Sequence, residues 1–108
     1  LIDSAKDYVH RNYRSVDLGL DDTCKELGAS NSYFSSLFKK ETGSSFVEYL
    51  TDYRMDKAAR MLVETDDKSY VIAQNVGYAD PNYFSYVFKR KYGVSPSRYR
   101  TEYEKNKV

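Results

Sequence analysis

Tryptophan is absent from this 108-residue chain, and histidine and cysteine occur once each. The single cysteine, Cys24, cannot close an internal disulfide, and a reducing, cytosolic setting fits that count. Lone His10 has no second histidine or cysteine cluster beside it, so no metal-ligand set is expected. Cys24 falls on an expected buried helix face, where a thiol serves packing rather than nucleophilic or redox chemistry. No apolar run approaches the roughly 20 residues of a membrane span, so no membrane partner is expected. There is no glycine-rich phosphate loop. Paired carboxylates at Asp21-Asp22 and Asp66-Asp67 read as helix-start charge and a polar loop, not as acid–base machinery. These absences leave no catalytic constellation and no cofactor, and the chain is not expected to be an enzyme. It opens on Leu1 rather than Met and shows no signal peptide there, so we expect a fragment cut from a longer protein.

What is present is a globular composition. Hydrophobic residues make up 41% and charged residues 31%, which suits a folded domain of this length. Aromatics reach 16%, with twelve Tyr and five Phe, supplying large rings with polar tips. Net charge is only +1, but its distribution is uneven. Residues 1–29 carry four basic and six acidic side chains, residues 30–50 two of each, and residues 51–80 four and six. Residues 81–108 carry seven basic against two acidic, a balance of +5. Positive charge therefore gathers near the C-terminal end, with a smaller pair at Lys39-Lys40.

An internal repeat organises the chain. The stretch SYFSSLFKKETG from Ser32 to Gly43 aligns at an offset of 50 with NYFSYVFKRKYG from Asn82 to Gly93, identical at six positions of twelve. Upstream, Thr23–Gly28 aligns with Ile72–Gly77 at an offset of 49. Within each copy a short helix is expected to end at a glycine, as Leu20–Leu27 does before Gly28. A capping residue follows, Ser30 or Asp80, the latter with Pro81 at the first helical position. The next helix runs from Asn31 to Thr42, or from Pro81 to Tyr92. Phe34, Leu37 and Phe38 form one apolar stripe at i, i+3, i+4, repeated by Phe84, Val87 and Phe88, and all six are expected in the core. The opposite face carries Ser32, Ser35, Ser36 and Lys39, and Asn82, Ser85, Tyr86 and Lys89.

This is the helix-turn-helix pattern, written twice. Small polar side chains let a helix enter a major groove about 12 Å wide, and cations one turn on meet phosphates. Between the copies, Ser44 or Ser45 can cap a helix from about Phe46 to Glu64. Its apolar residues Phe46, Tyr49, Leu50, Tyr53, Ala58, Ala59 and Leu62 fall at helical spacing. At 1.5 Å per residue such a helix spans about 28 Å, comparable with the ~34 Å between successive major-groove faces. Ile2–Tyr13 reads as a leading helix, Ser95-Pro96 opens a last one toward Glu104, and Lys105–Val108 is expected to fray. The fold class is all-α, with about seven helices. We expect a first helix-turn-helix subdomain at 1–50, a linker helix at 51–64 that starts near 46, and a second subdomain at 65–108.

Particular residues resemble the signature of the AraC family. They are Lys39-Lys40-Glu41-Thr42-Gly43, Tyr49-Leu50 with Arg54, Ile72-Ala73, Val76-Gly77-Tyr78, Tyr83-Phe84, Phe88-Lys89, and Gly93-Val94-Ser95-Pro96-Ser97-Arg98-Tyr99-Arg100. The match runs from about Leu18 to Arg100. The resemblance implies a bacterial regulator that binds double-stranded DNA, acts with RNA polymerase, and carries an upstream sensing or receiver domain. The lysine-rich first copy looks most like members fused to a phosphoacceptor receiver. Carried over by position, the base-edge readers are Ser32, Ser35 and Ser36, then Pro81, Asn82, Ser85 and Tyr86. Asn31 joins them at the helix start, and Lys39, Lys40, Lys89 and Arg90 are the phosphate contacts. Asn82 can pair bidentately with adenine, Tyr86 can meet a thymine methyl or a phosphate, and Pro81 offers only apolar contact. The three serines carry little direct code, so water or DNA shape matters more there. Thr23, Cys24, Ser69 and Val71 stand where the family usually has Ile or Leu, Ala, an apolar residue and Glu. A buried Thr23 hydroxyl would need a partner. Arg54 reads as an internal tether, while Arg98 and Arg100 suit either DNA or nearby acids. The alternative function is a helical protein-interaction module that touches the transcription machinery without reading DNA.

Overall fold

The computed structural model describes residues 1–107. Seven helices and no strand occur among them: α1 (Ile2–Asn12), α2 (Leu20–Leu27), α3 (Asn31–Thr42), α4 (Phe46–Glu64), α5 (Ser69–Asn75), α6 (Pro81–Tyr92) and α7 (Pro96–Lys105). The chain divides into two compact units, Leu1–Tyr53 and a second that begins at Arg54, so the division falls inside α4.

Local chemistry sets the helix ends. Ser30 Oγ accepts from the Tyr33 N–H at 3.2 Å, Asp80 accepts from the Asn82 N–H at 2.9 Å, and Ser95 Oγ accepts from the Arg98 N–H at 3.2 Å. Of the two candidate serines before α4, Ser45 is the cap. Its Oγ accepts from the Glu48 N–H at 3.1 Å, and the Glu48 carboxylate takes the Ser45 N–H at 2.9 Å, a reciprocal capping box. Those bonds hold the Glu48 carboxyl below the usual carboxylate range. Gly43 and Gly93 close α3 and α6 in the left-handed region at φ 85° and 81°.

The short helices close alike although their bounds differ. In the first unit Gly28, at φ 69°, follows Leu27 directly, and Ala29 N–H donates to the Cys24 carbonyl at 3.0 Å. In the second, α5 stops at Asn75, Val76 is the cap, and left-handed Gly77 comes one residue later. The bond from Tyr78 N–H to the Ala73 carbonyl, 2.9 Å, is nevertheless the counterpart of the first. Thus the expected helix-then-glycine ending is displaced by one residue in the second copy. The same 6→1 closure is kept.

In the unit Leu1–Tyr53, Ile2, Ala5 and Val9 of α1 meet Cys24, Phe34, Phe38, Phe46 and Leu50 in one core. The rings of Phe34, Phe38 and Phe46 form a triangle with centroids 5.5–5.6 Å apart. In the second unit Met55, Ala58 and Leu62 of α4 are buried, as are Ile72, Ala73, Val76, Phe84 and Phe88. The edge contact of Phe38 with Tyr49 (5.5 Å, 69°) recurs 50 residues on as Phe88 with Tyr99 (5.4 Å, 87°). The stripe is narrower than expected: Leu37 and Val87 are only half-buried, whereas the four phenylalanines are fully enclosed. α3 and α6 therefore each rest on two rings one turn apart, with the third apolar residue at the rim.

Candidate nucleic-acid interface

Because α3 and α6 each bury only a narrow stripe, most of their surface is open. Burial repeats residue for residue along the first ten positions of the two helices. Ser32 and Asn82 are exposed, as are Ser36 and Tyr86, Lys39 and Lys89, and Lys40 and Arg90. Asn31 and Pro81, the first residues, are also exposed. Ser35 and Ser85 are half-buried and lie at the edge of the open face. Asn31 has part of its donor capacity committed, since its side-chain amide donates to Asp21 at the start of α2. Lys39-Lys40 and Lys89-Arg90-Lys91 fall in the last turns, where they also complement the helix dipoles.

Sequence reasoning passed over Tyr33 and Tyr83 as site residues. They are 61% and 56% exposed on the first turns of α3 and α6. The available signal was their identity in both copies at a position outside the apolar stripe. On α6 the exposed rings are ordered by neighbours. Tyr86 stacks on Tyr83 (6.3 Å, 28°), and Arg90 Nη1 donates to the Tyr86 hydroxyl at 3.1 Å.

Several basic residues have internal work. Arg98 pairs with Glu102 one turn along α7 at 3.0 Å. Arg100 reaches the end of α4, donating to the carbonyls of Leu62 at 2.8 Å and Thr65 at 3.0 Å. Those carbonyls belong to a helix end that lacks intrahelical donors, so Arg100 closes α4 rather than pairing with an acid. Arg54 is buried, its guanidinium 5.5 Å from the Tyr78 ring centroid, and burial presses its pKa down. Lys91 Nζ and Tyr92 Oη both donate to Asp56 of α4, at 2.7 and 2.8 Å. The last turn of α6 is thereby held by α4.

Cys24 is buried with its thiol pushed up, chiefly by desolvation and secondarily by Asp21. Thr23 is fully buried and its Oγ1 has no hydrogen-bond partner among the described residues. No cluster of three potential metal ligands occurs among them, and no helix is long and apolar enough to cross a membrane.

Two helix-turn-helix units, each presenting a polar and cationic second helix, define a class of nucleic-acid-binding regulators. A family model described as a helix-turn-helix domain matches residues 23–102. The chain is 36% identical over 80 residues to the lactose operon transcription activator of Staphylococcus xylosus, covering 74% of this chain and 28% of that protein. It thus spans little more than a quarter of that relative's length. The C-terminal domain of AraT, a response regulator from Geobacillus stearothermophilus, superposes with a TM-score of 0.92 at 39% identity, covering 94% of this chain and 84% of that one. The C-terminal domain of the two-component response regulator yesN from Fusobacterium nucleatum gives 0.89 at 36% identity, covering 91% and 95%. The chain belongs to the AraC family of helix-turn-helix transcription regulators.

Proposed function

We propose that this chain binds duplex DNA sequence-specifically to regulate transcription, with α3 and α6 entering successive major grooves. One observation carries the reading. A face of exposed small, polar and cationic residues recurs at an offset of 50, each time above two fully buried phenylalanines. A solvated face needs no such repetition, whereas two equivalent readers of a periodic polymer do. Asn31, Ser32, Ser35 and Ser36, and Pro81, Asn82, Ser85 and Tyr86, face base edges in this reading. Lys39, Lys40, Lys89 and Arg90 meet phosphates.

The matched structures are named as C-terminal domains of response regulators, and the S. xylosus relative as an activator. Those names support a receiver or sensing domain elsewhere in the polypeptide, RNA polymerase as a partner, and a cytoplasmic setting. DNA affinity against salt tests the core of the proposal. Log K should fall linearly with log[salt], and Lys89→Ala should reduce the slope by about one. A flat response would instead favour a protein-interaction module.

A further inference from the structure

The two reading helices differ in how their exposed side chains are ordered. On α6 a ladder of rings and cations runs outward from the buried part of the second unit. Buried Arg54 lies against Tyr78, 5.5 Å from its centroid, and Tyr78 meets Tyr83 at 6.1 Å. Tyr83 stacks on Tyr86 at 6.3 Å, and the Arg90 guanidinium lies 5.8 Å from the Tyr86 centroid with its Nη1 bonded to the phenol oxygen. Tyr83 and Tyr86 are both more than half exposed, so this ordering lies on the open face. In the first unit the matching positions hold Ala29, Tyr33, Ser36 and Lys40. Only one of those four carries a ring, and Ser36 is too short to reach a cation one turn away.

We infer that Tyr83 and Arg90 are positioning residues for Tyr86, so that α6 carries more of the base preference than α3, whose short serines face base edges with little direct code. The inference rests on the DNA-binding reading and deepens it. A phenol that rests beside a second ring and accepts a bond from a guanidinium has fewer rotamers to give up when DNA arrives. The ordering cost on binding is correspondingly small. A ring fixed in this way presents its edge to a base step in one orientation and discriminates between pyrimidines with and without a C5 methyl. A free lysine, as at Lys40, supplies charge without orientation.

The test uses duplexes selected from random sequence by the wild-type chain, together with an unrelated duplex. Arg90→Lys keeps the cation and removes the planar fork. Tyr86→Phe keeps the ring and removes the hydroxyl. Each should lower the ratio of selected to unrelated affinity about threefold to tenfold. The salt slope and the melting temperature should stay unchanged. Combining them should cost little more than either alone, because both break one contact. Lys105→Arg, exposed near the end of α7 and outside both reading helices, should leave the ratio unchanged. Equal loss on both duplexes, or additive losses in the double variant, would show that Arg90 meets phosphate without positioning Tyr86 and would overturn the inference. The wild type separates the two levels: a sloping wild type with an unaltered ratio in the variants defeats only this inference. A flat wild type removes the DNA reading and this inference with it.

Discussion

Thr23 provides a stability prediction that depends on a single atom. Its side chain is fully buried in α2, and Oγ1 has no partner among the described residues. A buried hydroxyl without a hydrogen bond costs about 1–3 kcal/mol relative to a paired one. Valine replaces that hydroxyl with a methyl of nearly the same shape, and valine and threonine have similar helix propensities. The gain is therefore the recovered desolvation cost, which we place at about 1 kcal/mol. For a unit of this size that is a rise of roughly 4–8 °C in Tm. Urea unfolding followed by circular dichroism should show a higher midpoint at unchanged m-value. DNA affinity should not move, since Thr23 is buried in α2 and is not on the exposed face of α3. A loss of stability in Thr23→Val would show that the hydroxyl is satisfied in solution and would refute the argument.

Other substitutions follow from the same packing. Phe38→Ala should cost about 3–5 kcal/mol, and Leu37→Ala, at the half-buried rim, less than about 2 kcal/mol; chemical unfolding of the two variants side by side checks the order. Arg100→Ala should strip the donors from the Leu62 and Thr65 carbonyls and cost about 1.5–3 kcal/mol, read as a lower urea midpoint. Partial burial works to raise the Asp56 carboxyl, but hydrogen bonds from Lys91 and Tyr92 outweigh it and hold the group below its ordinary value. A lowered folded-state pKa adds stability above the unfolded value of about 3.9, lost as pH falls through the folded one. Asp56→Asn should accordingly flatten the acid limb of stability against pH while leaving the neutral-to-alkaline shape unchanged.

Much of the fold was legible because the repeat supplies its own control. Ser30 and Gly43 bound Asn31–Thr42, Asp80 and Gly93 bound Pro81–Tyr92, Gly28 closes Leu20–Leu27, and Ser45 opens Phe46–Glu64. Less legible were the features set by three-dimensional neighbours. Leu37 belongs to the apolar stripe by spacing, but two phenylalanines fill the space beneath the helix and leave it at the rim. Met55 was absent from the apolar spacing read along α4, yet it is fully buried. The roles of Arg98 and Arg100 were open in the sequence. Whether a guanidinium meets an acid one turn away or a helix end 38 residues back is decided by the course of the chain. The same holds for Asp56, which is only one more exposed carboxylate until α6 brings Lys91 and Tyr92 beside it. The exposure of the polar positions opposite the phenylalanines, the faces proposed to read DNA, was legible from their spacing. Tyr33 and Tyr83 escaped because they entered the reading only as matched positions of the repeat and were assigned to neither the apolar stripe nor the polar face.

Hydroxyl-radical footprinting on a selected duplex, in dilute buffer and with both strands followed, tests the paired-reader claim most directly. Two protected patches centred about one helical turn apart are expected, with Asn82→Ala weakening one and Ser36→Glu the other. A single patch, or uniform accessibility along the duplex, would contradict the account.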